Sequence, residues 1–374
     1  MLTAGLVLAA CGGSDSSTDA AATDSSAADT VPATEPVATD APTTTASTAP
    51  PTTLPPTIDL NTLPGLLAVI ATSCAPEPYP PHNIIENPSI CTLKPNGTDV
   101  RVVSQPGESP SGLAFTRDGS HLWYGDPYTK FGYVIDLTTG EHREGQRNEP
   151  LTSGVSPDGQ SVLFIGSYTL GPEIVNSDGS AFPDGSTSRS VADDPHAYYR
   201  EPSWAPDSVH FAYLSTNDGN GGSTNDVNGG NLWCPDVWVG AIDGTPPVQI
   251  THFAGNADGA EGCPDSVRWS PTDDRILLHM LGIPTNFVPN LYAIDADGSH
   301  LTALTSGSPT AYVSAGRSYA GDWSPDGKYI VFIVSDGSAY QLAVMNADGS
   351  QITPIPAAPL GITSSLLSIR WSLG

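Results

Sequence analysis

The chain has 374 residues, with 40 acidic against 13 basic side chains and a formal net charge of −27. Gly and Pro number 38 and 36, and charged residues make up only 14%. That composition suits many short strands and turns and argues against a mainly helical chain, whose interiors Gly and Pro disrupt. All 13 bases lie at or after Lys94, so the surface repels phosphate backbones and nucleic acid is excluded as a partner. No window reaches the roughly 18 apolar residues that a membrane-spanning helix requires.

Residues 2–10 (LTAGLVLAA) form a short apolar run that leads directly into Cys11. The stretch Leu8-Ala9-Ala10-Cys11, followed by Gly12-Gly13-Ser14, resembles the lipobox of bacterial lipoproteins. The resemblance implies cleavage before Cys11, a diacylglyceryl group on its thiol, and export. No Lys or Arg precedes residue 94, whereas a signal peptide needs a basic n-region, so the expected leader is longer. Residues 12–57 contain almost nothing but Ser, Thr, Ala, Asp, Pro and Gly, with no aromatic and no basic residue. Such a tract cannot bury enough apolar surface to offset ordering entropy, and reads as a stalk. The expected organisation is therefore a signal peptide at 1–10, a lipidated Cys11 with its linker at 11–57, and a folded body at 58–374. The membrane, through the lipid anchor, is one expected partner. The expected location is the extracytoplasmic side of a bacterial membrane.

In the body one phrase recurs: GLAFTRDG (112–119), SGVSPDG (153–159), PSWAPDS (202–208), VRWSPTDD (267–274), GDWSPDG (321–327) and SIRWSLG (368–374). Its anchors are Phe115, Val155, Trp204, Trp269, Trp323 and Trp371, spaced by 40, 49, 65, 54 and 48 residues. A second ladder, at Gly97, Gly140, Gly179, Gly244, Gly298 and Gly349, ends a different strand. Periods near 40–50 with strand and turn signals predict a β-propeller rather than separate domains. Strand a is the SPDG phrase, and strand b is the apolar run after it, as in KYIVFIVS. Strand c precedes the Asp-Gly or Asn-Gly turn, and strand d is short. The last phrase has no b, c or d after it, while GLLAVIATS, SICTLKPNG and VRVVS at the start look like b, c and d without an a. The expected fold is all-β: a six-bladed β-propeller of four-stranded antiparallel blades, closed by N-terminal strands b-c-d and C-terminal strand a. A monomer is expected.

The wording Trp323-Ser324-Pro325-Asp326-Gly327 in strand a, with Asp295-Ala296-Asp297-Gly298-Ser299 after strand c, resembles the TolB-type six-bladed propeller. The resemblance covers about 65–374 and is weakest in blades two and three. It implies the fold, and hardly constrains activity.

Propeller connectivity places the a–b and c–d turns on one face and the b–c and d–a loops on the other. The turn aspartates read as turn formers. On the long-loop face the interval Trp204–Gly244 exceeds its counterparts by 11–16 residues, which fall in the b–c loop of blade four (216–236). Asp218 and Asp226, with neighbouring Asn residues, could offer oxygen ligands to calcium, though no Glu closes the twelve-residue spacing. No other cofactor is indicated. The adjoining d–a loop collects Asp193, Asp194, His196, Tyr198, Tyr199 and Arg200, and Trp233 offers an apolar anchor. No catalytic residues and no metal-ligand spacing among the eight His emerge. With Cys11 assigned to lipid, four cysteines remain for an oxidising compartment. Strand order predicts Cys74 with Cys91 and Cys234 with Cys263. The expected role is a non-catalytic binding module for a protein, peptide or glycan. The alternative is a carbohydrate-active lyase or hydrolase, or a peptide-processing enzyme, working on the same face.

Overall fold

The computed structural model describes residues 57–71, 74, 88–106, 108–116, 118–125, 132–145, 154–167, 170–191, 199–216, 223–225, 231–253, 262–281, 290–305, 321–335, 340–356 and 368–372. They form a six-bladed, all-β propeller of four-stranded antiparallel blades, with strands ordered a-b-c-d. Blade one takes strands b to d from Leu67–Ala71, Ser89–Leu93 and Arg101–Val102, and strand a from Ile369–Trp371. Leu67–Ala71 pairs with both Ser89–Leu93 and Ile369–Trp371, so the two ends of the chain close the ring. Blade three keeps only a bridge, Val155 to Val162, in place of strand a. Gly154 and Pro157 beside it disfavour a longer ladder.

Strands b are buried on both faces, as in LAVIA (67–71) and in HFAYLS (210–215) after its first residue. Blade sheets stack face to face, so such strands read as nearly continuous apolar runs. Each anchor Trp faces the preceding blade. Trp204 packs with Leu163 and Ile174, Trp269 with Ala212 and Leu214, Trp323 with Leu277 and Leu291, and Trp371 with Val331 and Ile333. Buried indole N–H groups need acceptors. Trp204 Nε1 donates to the Gly154 carbonyl at 2.8 Å, and Trp323 Nε1 to the Arg268 carbonyl at 3.0 Å. The Trp ladder is thus the inter-blade seam.

The Gly ladder has two physical causes. Gly298 and Gly349 sit at φ +86° and +85°, which the tight c–d turn requires. A Cβ at either would also come within 2.6 and 2.7 Å of carbonyls in the preceding blade, those of Ile250 and Leu304.

Two sequence expectations need correcting. The insertion of blade four is not a bare loop: Ser223–Asn225 pairs antiparallel with Asn231–Trp233 to form a small hairpin. Segments that include Thr224, Leu232 and Trp233, joined by a Gly/Asn-rich stretch, carry ordinary hairpin chemistry. Tyr199 and Arg200 are not loop residues either. They begin strand a of blade four (Tyr199–Trp204), opposite Ser215 and Leu214.

Candidate functional site

The a–b turns use up their own polar groups. In blade six the Ser324 hydroxyl donates to Asp326 at 2.7 Å and accepts from Tyr329 N at 2.9 Å. In blade two Thr116 and Ser120 hydroxyls donate to Asp118 at 2.6 and 2.7 Å, and Ser120 N at 3.0 Å. These bonds hold the Asp118 carboxyl down at about 2, with the Thr116 hydroxyl the largest cause. At Asp-Gly-Ser turns the carboxylate accepts from the residue two positions on, as Asp297 does from Ser299 N and Asp348 from Ser350 N. Asp178, Asp297 and Asp348 are all lowered, chiefly through the Ser that follows.

A groove of about 680 Å³ lies on this turn face between blades four and five, with Asp207, His210, Trp269, Arg275 and Asp295 in its lining. Its charges are largely engaged with one another. His210 Nδ1 lies 2.6 Å from Asp207, Arg275 Nη2 lies 2.9 Å from Asp273, and His300 Nδ1 lies 2.7 Å from Asp295.

On the long-loop face, Asp193, Asp194, His196, Tyr198, Asp218 and Asp226 lie outside the described residues. For Tyr199, Arg200 and Trp233 the structure gives the strand positions already stated. The staple of this face is clear. Cys234 is bonded to Cys263, with Cα atoms 4.9 Å apart, and Cys74 is bonded to Cys91. The first of these ties the end of the insertion hairpin to strand a of blade five (Cys263–Trp269). Beside it Asp236 is buried, accepting from Phe253 N at 2.6 Å, Thr251 Oγ1 at 3.1 Å and Gln249 Nε2 at 3.0 Å. Among the described residues no cluster of three or more His, Cys, Asp or Glu is placed to hold a metal ion.

Two arrangements here were not anticipated from sequence. The first is a buried pair: His279 Nδ1 lies 2.6 Å from Asp265 Oδ1, with the two side chains 2% and 10% exposed. Asp265 occupies an irregularity in strand a, where register shifts between Pro264 and Ser266, two residues after the Cys263 staple. His279 Nε2 is buried without a hydrogen-bond partner.

The second is a column of residues shared by strands a. The residues immediately before the six anchors are Ala114, Gly154, Ser203, Arg268, Asp322 and Arg370. Alternation along a strand turns them away from the face that the anchors use. Ser203 and Asp322 each reach the next blade, accepting from Trp269 N and Trp371 N at 2.8 Å. Asp322 also accepts from Trp323 N at 3.1 Å. Burial pushes the Asp322 carboxyl above its ordinary value, and the charges of Arg370 and Arg268 oppose that shift. Three consecutive blades therefore carry Arg, Asp and Arg in this column, and the other three Ser, Ala and Gly. The signal was in the repeat phrases, in the one column where they differ.

No protein-family model and no curated protein sequence matches the chain. Solved structures do. TolB from Acinetobacter baumannii aligns at TM-score 0.51 and 19% identity, over 78% of this chain and 64% of that one. The chain thus spans just under two thirds of that TolB. A chain of the nidogen/laminin complex aligns at TM-score 0.51 and 14% identity, over 82% of this chain and 98% of that one. The fold is similar to that of TolB-type propellers. At such identities the TolB likeness speaks for architecture alone.

Proposed function

We propose that this chain is a lipid-anchored binding module of the bacterial cell surface, held at Cys11 and carried on the 12–57 stalk, which contacts a protein, peptide or glycan through its long-loop face. The observation that carries this reading is the stapled insertion. The hairpin Ser223–Asn225/Asn231–Trp233 is the extra element of its face among the described residues, and Cys234–Cys263 fixes its end to the scaffold. Binding sites favour loops held on a rigid frame, and a covalent tie lowers the ordering cost of such a loop. The nidogen/laminin complex supports the reading to the extent that it places the same fold in a protein assembly.

A second reading, an enzyme of the same face, draws support from the Asp265–His279 pair. A carboxylate on one imidazole nitrogen, with the other unpartnered, is an arrangement that can move a proton.

The test uses the full chain, screened by thermal shift against glycans, peptides and divalent cations. Deleting 218–230 while keeping Cys234 should abolish the response to any hit and leave the ligand-free melting temperature unchanged. Full binding by the deletion variant would move the site elsewhere. Turnover of a hit, lost in His279→Gln, would favour the enzyme. Cys11→Ser should release the protein from the membrane fraction, and unchanged fractionation would refute the anchor.

A further inference from the structure

We propose that the Cys234–Cys263 disulfide is a redox latch, which an external dithiol opens to release the insertion hairpin while the propeller stays folded. The latch stands on its own geometry, and only its consequence for binding rests on the reading of the long-loop face. The two disulfides differ in access. Cys74 and Cys91 join the end of strand b to strand c inside blade one, 8% and 0% exposed within an apolar cluster. Sulfurs placed there are out of reach of a thiolate until the blade opens. The second bond lies between blades, at the long-loop end of strand a in blade five. Cys234 is buried, whereas Cys263 is only partly buried and begins its strand.

What the bond holds is the independent observation. Ser223–Asn225 and Asn231–Trp233 form a two-stranded sheet of their own, and among the described residues no blade strand pairs with it. Two-stranded hairpins are marginal by themselves, and this one has strands of only three residues. The tie beside Trp233 is its covalent restraint. Both anchorages are fixed without that tie. Strand c of blade four begins at Asp236, whose carboxylate accepts from Phe253 N and Thr251 Oγ1. Strand a of blade five stays paired with strand b from Ser266 to Trp269, and Trp269 N donates to Ser203 Oγ of blade four at 2.8 Å. Opening the bond thus unfastens the hairpin and leaves the seam closed, a local opening well short of the global one. The chemistry is thiol–disulfide exchange. A thiolate of the dithiol attacks Cys263 Sγ, the S–S bond breaks, and Cys234 leaves as a thiolate that takes up a proton. The second thiol of the dithiol then attacks the mixed disulfide, freeing Cys263 as a thiol and closing the reagent's own disulfide. Two electrons pass to the protein.

The experiment exposes the full chain to stepped dithiothreitol under native conditions. Free thiols are blocked with iodoacetamide and located by peptide mapping, and hydrogen exchange is followed on the same samples. Cys234 and Cys263 should become alkylated at roughly ten-fold less dithiothreitol than Cys74 and Cys91. In that half-reduced form the amides of Ser223–Asn225 and Asn231–Trp233 should exchange faster. Those of Phe211–Leu214 in strand b of blade four should keep their protection. Reoxidation should restore the hairpin. Cys234→Ala combined with Cys263→Ala should reproduce the fast hairpin exchange on a folded propeller. Where that variant fails to fold from the start, the reduced parent decides. Joint opening of both disulfides, or opening of the second only as the propeller unfolds, overturns the proposal. So does a half-reduced form whose hairpin exchanges as slowly as the parent.

Discussion

Asp322 shows how much one side chain can carry in a propeller. It accepts from Trp323 N in its own blade and Trp371 N in the next, so one carboxylate fixes the seam between the last strand and its neighbour. Asp322→Ala leaves two backbone donors without an acceptor and two buried guanidinium groups without that carboxylate. The expected loss is about 3–5 kcal/mol by urea denaturation, the range for breaking a buried charge network. The pH dependence has a definite sign. Burial raises this carboxyl above 3.8, so its contribution is full below 3.8 and declines as pH rises through the raised value. The stability gap between parent and variant should therefore be widest in acid and narrow toward neutrality. A gap that widens with pH would mean that the charged form is the favoured one.

At the scale of elements, the repeated turn is the unit that made the fold legible. Ser-Pro-Asp-Gly and Asp-Gly-Ser declare their own geometry, because Asp and Ser bond within the turn and Gly takes the positive φ. Aligned, the turns set the anchors, the blade count and the strand order from which the cysteine pairing followed. The same regularity hid what lay between the phrases. The insertion hairpin depends on pairing Ser223 with Trp233 across a Gly/Asn-rich stretch, where propensity is weak. The Arg268–Asp322–Arg370 group joins residues 54 and 48 positions apart, which only the packing of successive blades brings together. Asp265 meets His279 only because of a register shift within strand a. The turn aspartates also predict acid behaviour opposite to that of Asp322. Hydrogen bonds from the Ser two positions on hold Asp178, Asp297 and Asp348 below 3.8, and bonds from Thr116 first and Ser120 next hold Asp118 at about 2. Their stabilising contribution is present above 3.8 and is lost as pH falls through the depressed values. Urea midpoints should fall between pH 4 and pH 2, and Asp118→Asn should flatten part of that fall. An equal slope in the variant would show that this turn carries none of the acid sensitivity.

The whole molecule is held by a closure of very few residues. Strand a of blade one is three residues long, yet Ile369 and Trp371 are 0% and 4% exposed and pack against blade six. Trp371 Nε1 donates to the Pro64 carbonyl at 2.8 Å. Ser372 exchanges two bonds with Leu66, accepting from its N–H at 2.7 Å and donating to its carbonyl at 2.8 Å. Without this strand, Leu67–Ala71 becomes an unpaired edge and the ring becomes an open arc of blades. Deletion of 368–374 should therefore cost far more than seven residues of an ordinary terminus, which are commonly dispensable. Trp371→Ala alone should cost about 3–5 kcal/mol, as for a buried Trp in a tightly packed core. The deletion should lower the urea midpoint further and expose the amides of Ala68 and Ile70 to rapid hydrogen exchange. It should also promote edge-to-edge association, visible as a concentration-dependent sedimentation coefficient. An alternative is that the inter-blade seams of blades two to six suffice and the last strand only caps them. In that case the deletion variant would keep the parental midpoint and remain monomeric. Exchange at Ala68 and Ile70 separates the two, since their amides point to the last strand, as Ile70 N does to the Ser368 carbonyl at 3.0 Å.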